Sequence, residues 1–140
     1  MESTRILVVD DEKDIREILL HIVATQPWID VVGEATDGLE AIQISRRTRP
    51  DIIVMDVNMN SMGGVQAATS ILTEFPATKI IACSHHSETE IVNSMRRAGA
   101  AAYVRKEMAT QDLLPAIRAV LSGRPFFSSG LDPSGSEAEA

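Results

Sequence analysis

At 140 residues, with 44% hydrophobic content and mean hydropathy near zero, the chain has the size and balance of one domain able to bury a single core. No apolar run approaches the roughly 18 residues needed to cross a bilayer, and the opening Met-Glu-Ser-Thr-Arg is not a charged-then-apolar leader, so a cytoplasmic protein without membrane association is expected. A net charge of −7 disfavours direct nucleic-acid binding, which needs a basic surface, but is compatible with a cation site.

Arg5 to Asp10 (RILVVD) reads as a first strand, β-branched and ended by an acid. Asp11 and Glu12 follow, and Ile15, Ile18, Leu19 and Ile22 then recur at helical spacing up to a stop at Pro27. Trp28 is placed to cover the bottom of the sheet. Asp30 to Ala35 is a shorter second strand, and Thr36-Asp37-Gly38 turns into a helix carrying Leu39, Ala41 and Ile42. Its Arg46, Arg47 and Arg49 suit a helix C-terminus, and Pro50 stops it. Ile52 to Met55 is a run of four apolar residues, the pattern of a parallel strand buried on both faces, and it ends at Asp56.

The glycine pair Gly63-Gly64 marks the next loop, and Val65, Ala68, Leu72 and Phe75 form a third helical face. Lys79 to Ser84 (KIIACS) is a fourth strand ending in a hydroxyl, with Cys83 as a small buried hydrophobe. Ile91, Val92, Met95 and Ala98 give a fourth helix closed by Gly99. Ala101 to Arg105 is a fifth strand that delivers Lys106. The last helix carries Leu113, Leu114, Ile117 and Val120. Because proline is tolerated only in a first turn, Pro115 predicts that it starts near Asp112. Residues 1–124 are thus expected to form the domain and 125–140, poor in residues to bury, a flexible tail or truncated linker.

Strands alternating with helices at short connections predict an α/β, doubly wound, five-stranded parallel sheet with five helices, of flavodoxin-like order 2-1-3-4-5. In that order adjacent strand ends carry Asp10-Asp11, Asp56, Ser84 and Lys106. Two like charges about 4 Å apart repel by roughly 4 kcal/mol at an effective dielectric of 20, so the acids need a cation, with Mg²⁺ as the default. Metal, ammonium and hydroxyl around one carboxylate are the parts required to move a phosphoryl group onto Asp56. The adjacent His85 and His86 lack further convergent ligands and read as loop residues rather than a transition-metal site.

On Asp10-Asp11, Asp56, Ser84, Tyr103 and Lys106, in that order and spacing, residues 5 to about 123 resemble a receiver (CheY-like) domain of two-component response regulators. The phrases VVGEATDGLEAI and GRPFFSSGL resemble its NarL/FixJ-like branch. The resemblance implies that Asp56 is the phosphoacceptor and that Asp11, Asp56 and the Asn58 backbone carbonyl ligate Mg²⁺, with Asp10 acting through water. It implies that Ser84 and Lys106 hold the phosphoryl group, that Tyr103 swings inward as the switch ring, and that His85 shields the site from water. A sensor histidine kinase would be the donor, homodimerisation could follow phosphorylation, and an output domain absent here would control transcription. Such a chain is a slowly self-dephosphorylating phosphoacceptor rather than a turnover enzyme. The alternatives are a stand-alone receiver or phosphorelay protein and, less well, a small Mg²⁺-dependent phosphatase, which has a second acid where this chain has Asn58. Lys106 is followed by Glu107 instead of the family's common proline, which leaves the conformation of that bond open.

Overall fold

A computed structural model describes residues 3–59 and 62–131. Asn60 and Ser61 of the loop after Asp56, and residues 132–140 of the expected tail, lie outside the described residues. The elements run β1 (Thr4–Val9), α1 (Lys13–Ala24), β2 (Ile29–Ala35), α2 (Gly38–Thr48), β3 (Ile52–Met55), α3 (Gly64–Glu74), β4 (Lys79–Ser84), α4 (Thr89–Arg97), β5 (Ala102–Arg105), a 3₁₀ turn (Lys106–Met108), α5 (Ala109–Leu121) and β6 (Phe126–Phe127). The sheet has the order β2-β1-β3-β4-β5-β6 with every pairing parallel. The expected order of the first five strands is the observed one.

Strand alternation divides the core in two. Ile6, Val8, Ile52, Val54, Ile81, Cys83 and Val104 point to the side covered by α1 and α5. Leu7, Val9, Ile53, Met55, Ile80, Ala82 and Tyr103 point to the side covered by α2, α3 and α4. All four residues of β3 are fully buried, as a strand covered on both faces must be. Each such aliphatic side chain stabilises the fold by about 1.5–3 kcal/mol. Burial also pushes the Cys83 thiol up to about 12, so it stays protonated. Trp28 packs half-buried beside this core, with the Arg118 guanidinium 5.8 Å from its ring.

Local chemistry sets the helix ends. Asp37 caps α2 by accepting from the Glu40 N–H at 2.9 Å, and the Glu40 carboxylate returns to the Thr36 N–H at 2.8 Å. Gly99 ends α4 at φ 110, and a Cβ there would stand 2.5 Å from the Leu72 side chain. At the start of α3, a Cβ on Gly64 would stand 2.4 Å from the backbone oxygen of Asp56. Only glycine lets α3 begin against the main chain of that residue.

Two expectations are corrected. The last helix starts at Ala109 instead of near Asp112, with Pro115 in its interior. Both Pro115 and Gln111, whose carbonyl loses its helical partner, are exposed, so that carbonyl is open to solvent. The sheet also continues past the expected boundary at residue 124. Phe126 and Phe127 pair with Ala102 and Tyr103 as a sixth strand. The buried Ser128 hydroxyl then donates to Asp112 Oδ2 at 2.6 Å and accepts from the Arg105 N–H at 3.0 Å. All described peptide bonds are trans, so β5 enters the 3₁₀ turn through an ordinary Lys106–Glu107 bond.

Candidate functional site

The carboxyl ends of β1, β3, β4 and β5 meet in an open crevice of about 250 Å³. Asp10, Asp56, Ser84 and Lys106 are all buried there, although each is polar or charged. The backbone aims them: Asp10 N–H donates to Ala35 at 3.0 Å and Asp56 N–H to Val9 at 2.9 Å, continuing the β-ladders past the strand ends. Lys106 Nζ lies 2.8 Å from Asp10 Oδ2, 3.2 Å from Asp56 Oδ2 and 3.3 Å from Glu12 Oε1. The second oxygen of each buried acid accepts a main-chain N–H, Asp10 Oδ1 from Glu12 at 2.9 Å and Asp56 Oδ1 from Asn58 at 3.4 Å.

One ammonium does not balance this set. Burial, reinforced by the neighbouring Asp10 charge and only partly offset by Lys106, pushes the Asp56 carboxyl up to about 6. Burial opposes the charge on Lys106, but Asp10 and Asp56 outweigh it and hold its pKa above the ordinary value. Asp10 Oδ2 is buried and, despite the ammonium 2.8 Å away, accepts no well-directed hydrogen bond. Ligand-type oxygens of Asp10, Asp11 and Asp56 lie within 4.8 Å of one another. A hard divalent cation with oxygen ligands fits that donor set and would complete the buried oxygen. Neither histidine joins this group among the described residues.

The remaining expected residues sit around the pair. The Ser84 hydroxyl accepts from the His86 N–H at 3.0 Å. Tyr103 is 1% exposed, its ring turned inward and its hydroxyl donating to the His86 carbonyl at 2.9 Å. His85 stands at the rim with its ring nitrogens 3.9 Å from Glu12 and 3.8 Å from Glu107. Two contributors escaped the sequence reading. Glu12, the third acid of a row, reaches Lys106. His86 spans the mouth, its Nε2 against the Asn58 side-chain amide. The run Asp10-Asp11-Glu12 was a visible signal for the first, whereas nothing local announces the second.

The model of the response regulator receiver domain matches residues 6–118. The transcriptional regulatory protein YhcZ of Bacillus subtilis is 37% identical over 129 residues, covering 92% of this chain and 60% of that protein. The chain thus spans about 60% of the length of this curated relative. A two-component response regulator of the LuxR family from Aurantimonas sp. SI85-9A1 superposes with TM-score 0.89 at 34% identity, covering 99% of this chain and 97% of that one. The signal receiver domain of the response regulator NarL from Mycobacterium tuberculosis does so at 0.84 and 29%, covering 89% and 100%.

Proposed function

The chain belongs to the response regulator receiver domain family, in its LuxR/NarL-type branch, and from that premise we propose that Asp56 accepts a phosphoryl group from a sensor histidine kinase in a Mg²⁺-dependent reaction. The observation that carries the proposal is Lys106 Nζ, buried and held between Asp10 and Asp56 at 2.8 and 3.2 Å beside the Ser84 hydroxyl.

In this reading Asp11, Asp56 and the Asn58 backbone carbonyl would hold Mg²⁺, with Asp10 acting through water. When bound, the ion supplies positive charge to the phosphoryl oxygens and to the acid cluster. An Asp56 carboxylate oxygen attacks phosphorus as the N–P bond of the donor phosphohistidine breaks, and the departing imidazole regains a proton from solvent. Lys106 leaves Asp56, whose charge is consumed in the acyl phosphate, and pairs with the phosphoryl oxygens, to which the Ser84 hydroxyl donates a hydrogen bond. A pKa raised to about 6 leaves most of Asp56 ionised at pH 7, as a nucleophile must be. The product decays slowly, because Asn58 has no acid to assist hydrolysis and His85 crowds the mouth. A receiver of this kind is not a turnover enzyme.

Tyr103 reports the state of the crevice through its bond to the His86 carbonyl. Names among the relatives, a transcriptional regulatory protein and a LuxR-family response regulator, support transcriptional control through an output domain; homodimerisation on phosphorylation is part of the same proposal. The chain acts in the cytoplasm and leaves nucleic-acid contact to that output domain. The test incubates it with Mg²⁺ and a small acyl phosphate. One phosphoryl mass is expected, lost in Asp56→Asn, and a stable mass on another residue would reject the assignment.

A further inference from the structure

We propose that a cleft at the amino ends of β4 and β5, at the opposite end of the sheet from Asp56, is a docking site for an acidic peptide segment that also carries an apolar side chain. The cleft encloses about 400 Å³. Its rim holds Lys79 at the start of β4, Arg96 in the last turn of α4 and Arg124 in the turn after α5. Its floor includes Ala100, Ala101 and the half-buried Phe127 of β6.

The charge of this cleft runs against that of the chain. Net charge is −7, yet no described acid lines it. Elsewhere cations are spoken for: Arg5, Arg16, Arg46, Arg105 and Lys106 stand in ion pairs, and Arg49 and Arg118 lie over aromatic rings. Lys79, Arg96 and Arg124 are exposed and have no ion pair among the described residues, and Arg96 reaches only the Asn93 side-chain oxygen, at 3.5 Å. A comparable hollow at the amino end of β3 mixes signs, with Arg49 beside Asp51 and Glu74. Three cations brought from three elements around one hollow repel one another until an anion joins them. The floor then decides between ligands of the same charge. Two short alanines and a phenylalanine ring offer apolar surface that a bare anion would leave uncovered. A nucleic acid or an anionic bilayer would set a broad negative surface against the rest of an acidic chain, whereas a short segment presents its carboxylates to these three cations alone. Docking there requires neither Mg²⁺ nor a phosphoryl group.

Titration of the full chain with a fluorescein-labelled Glu-Glu-Leu-Glu-Glu peptide tests the site. Binding should weaken as salt rises and should be unchanged in Asp56→Asn. Lys79→Glu, Arg96→Glu and Arg124→Glu should each lower the affinity roughly two- to fivefold, the range for one exposed charge pair, and the three together by more than about tenfold. Peptides with Gln for Glu, or Ser for Leu, should bind more weakly. In the unmodified chain the amide resonances of Ala100, Ala101 and Phe127 should move while those of Ser84 and Lys106 stay. Equal affinity across the charge variants, or shifts centred on the acidic crevice, overturns the proposal. Inorganic phosphate binding as well as the peptide would reduce the cleft to a simple anion site, and tighter binding of a single-stranded oligonucleotide or of phosphatidylserine vesicles would change the class of partner. Either result overturns the peptide assignment. None of these readouts uses phosphoryl uptake, so the docking site and the proposed function stand or fall separately.

Discussion

The two ends of the sheet are built from opposite materials. At the amino end, main-chain bonds stitch one strand to the next: Thr4 N–H to Trp28, Asp51 N–H to Arg5 and Lys79 N–H to Asp51, at 2.8 to 2.9 Å. The charges there are at the surface, as in Arg5–Asp30 at 3.9 Å with side chains 42% and 56% exposed. At the carboxyl end Asp10, Asp56 and Lys106 are taken out of water, and one cation faces more than one anion. Burying charge costs several kcal/mol per ion unless it is paired and hydrogen-bonded. The fold is therefore held by its layers and its amino end, while the site end sits under electrostatic strain that a bound cation would relieve.

That contrast can be broken most forcefully at Lys106. Lys106→Ala leaves two buried carboxylates facing each other and should cost about 3–5 kcal/mol at pH 8. The loss should shrink at pH 4, where the acids bind protons, or with millimolar Mg²⁺; denaturant unfolding at both pH values checks this. Ile53→Ala, in the layer below, should cost about 2–4 kcal/mol through the cavity it leaves, and an equal cost at both pH values with or without Mg²⁺ would separate core from site.

The opposite sign is expected for Asp56→Asn. The native carboxyl titrates at about 6 against an ordinary 3.8, so between those values the folded state binds more protons than the unfolded state. Stability from this group is therefore greatest in acid and falls as pH rises from about 4 to 7. Removing the ionisation should raise stability at pH 7.5 without divalent cation by about 1–3 kcal/mol, at 1.36 kcal/mol per unit, and the gain should vanish near pH 4. A thermal-melt series over that range would show it as a converging pair of curves. Asp30→Ala, at the amino end, should change stability by less than about 0.5 kcal/mol, and a larger loss would mean that the surface pair there is not a bystander.

Most of this contrast could be read before any coordinates. Apolar runs such as Ile52–Met55 and the acids and hydroxyl that end them place both the core and Asp10, Asp56, Ser84 and Lys106, because strand period and strand-end position are one-dimensional properties. What escaped was tertiary. Pro115 misled because the cost of an interior proline depends on where the freed carbonyl lies, and on the exposed side of α5 the Gln111 carbonyl is open to solvent. Phe126–Phe127 is too short for any period, and its pairing depends on β5 standing bare beside it. His86 has no sequence neighbour that discloses Asn58, 28 residues away.

The shortest strand has a consequence out of proportion to its burial. Were Phe126 and Phe127 missing, β5 would present an unpaired row of amides and carbonyls, the template on which foreign strands add. The Ser128 hydroxyl, wedged between Asp112 and the Arg105 amide, keeps that margin occupied. A fragment trimmed just past α5, at residue 124, would therefore keep its acidic crevice and acquire an adhesive border, so its aggregation would be a fault of trimming rather than of folding.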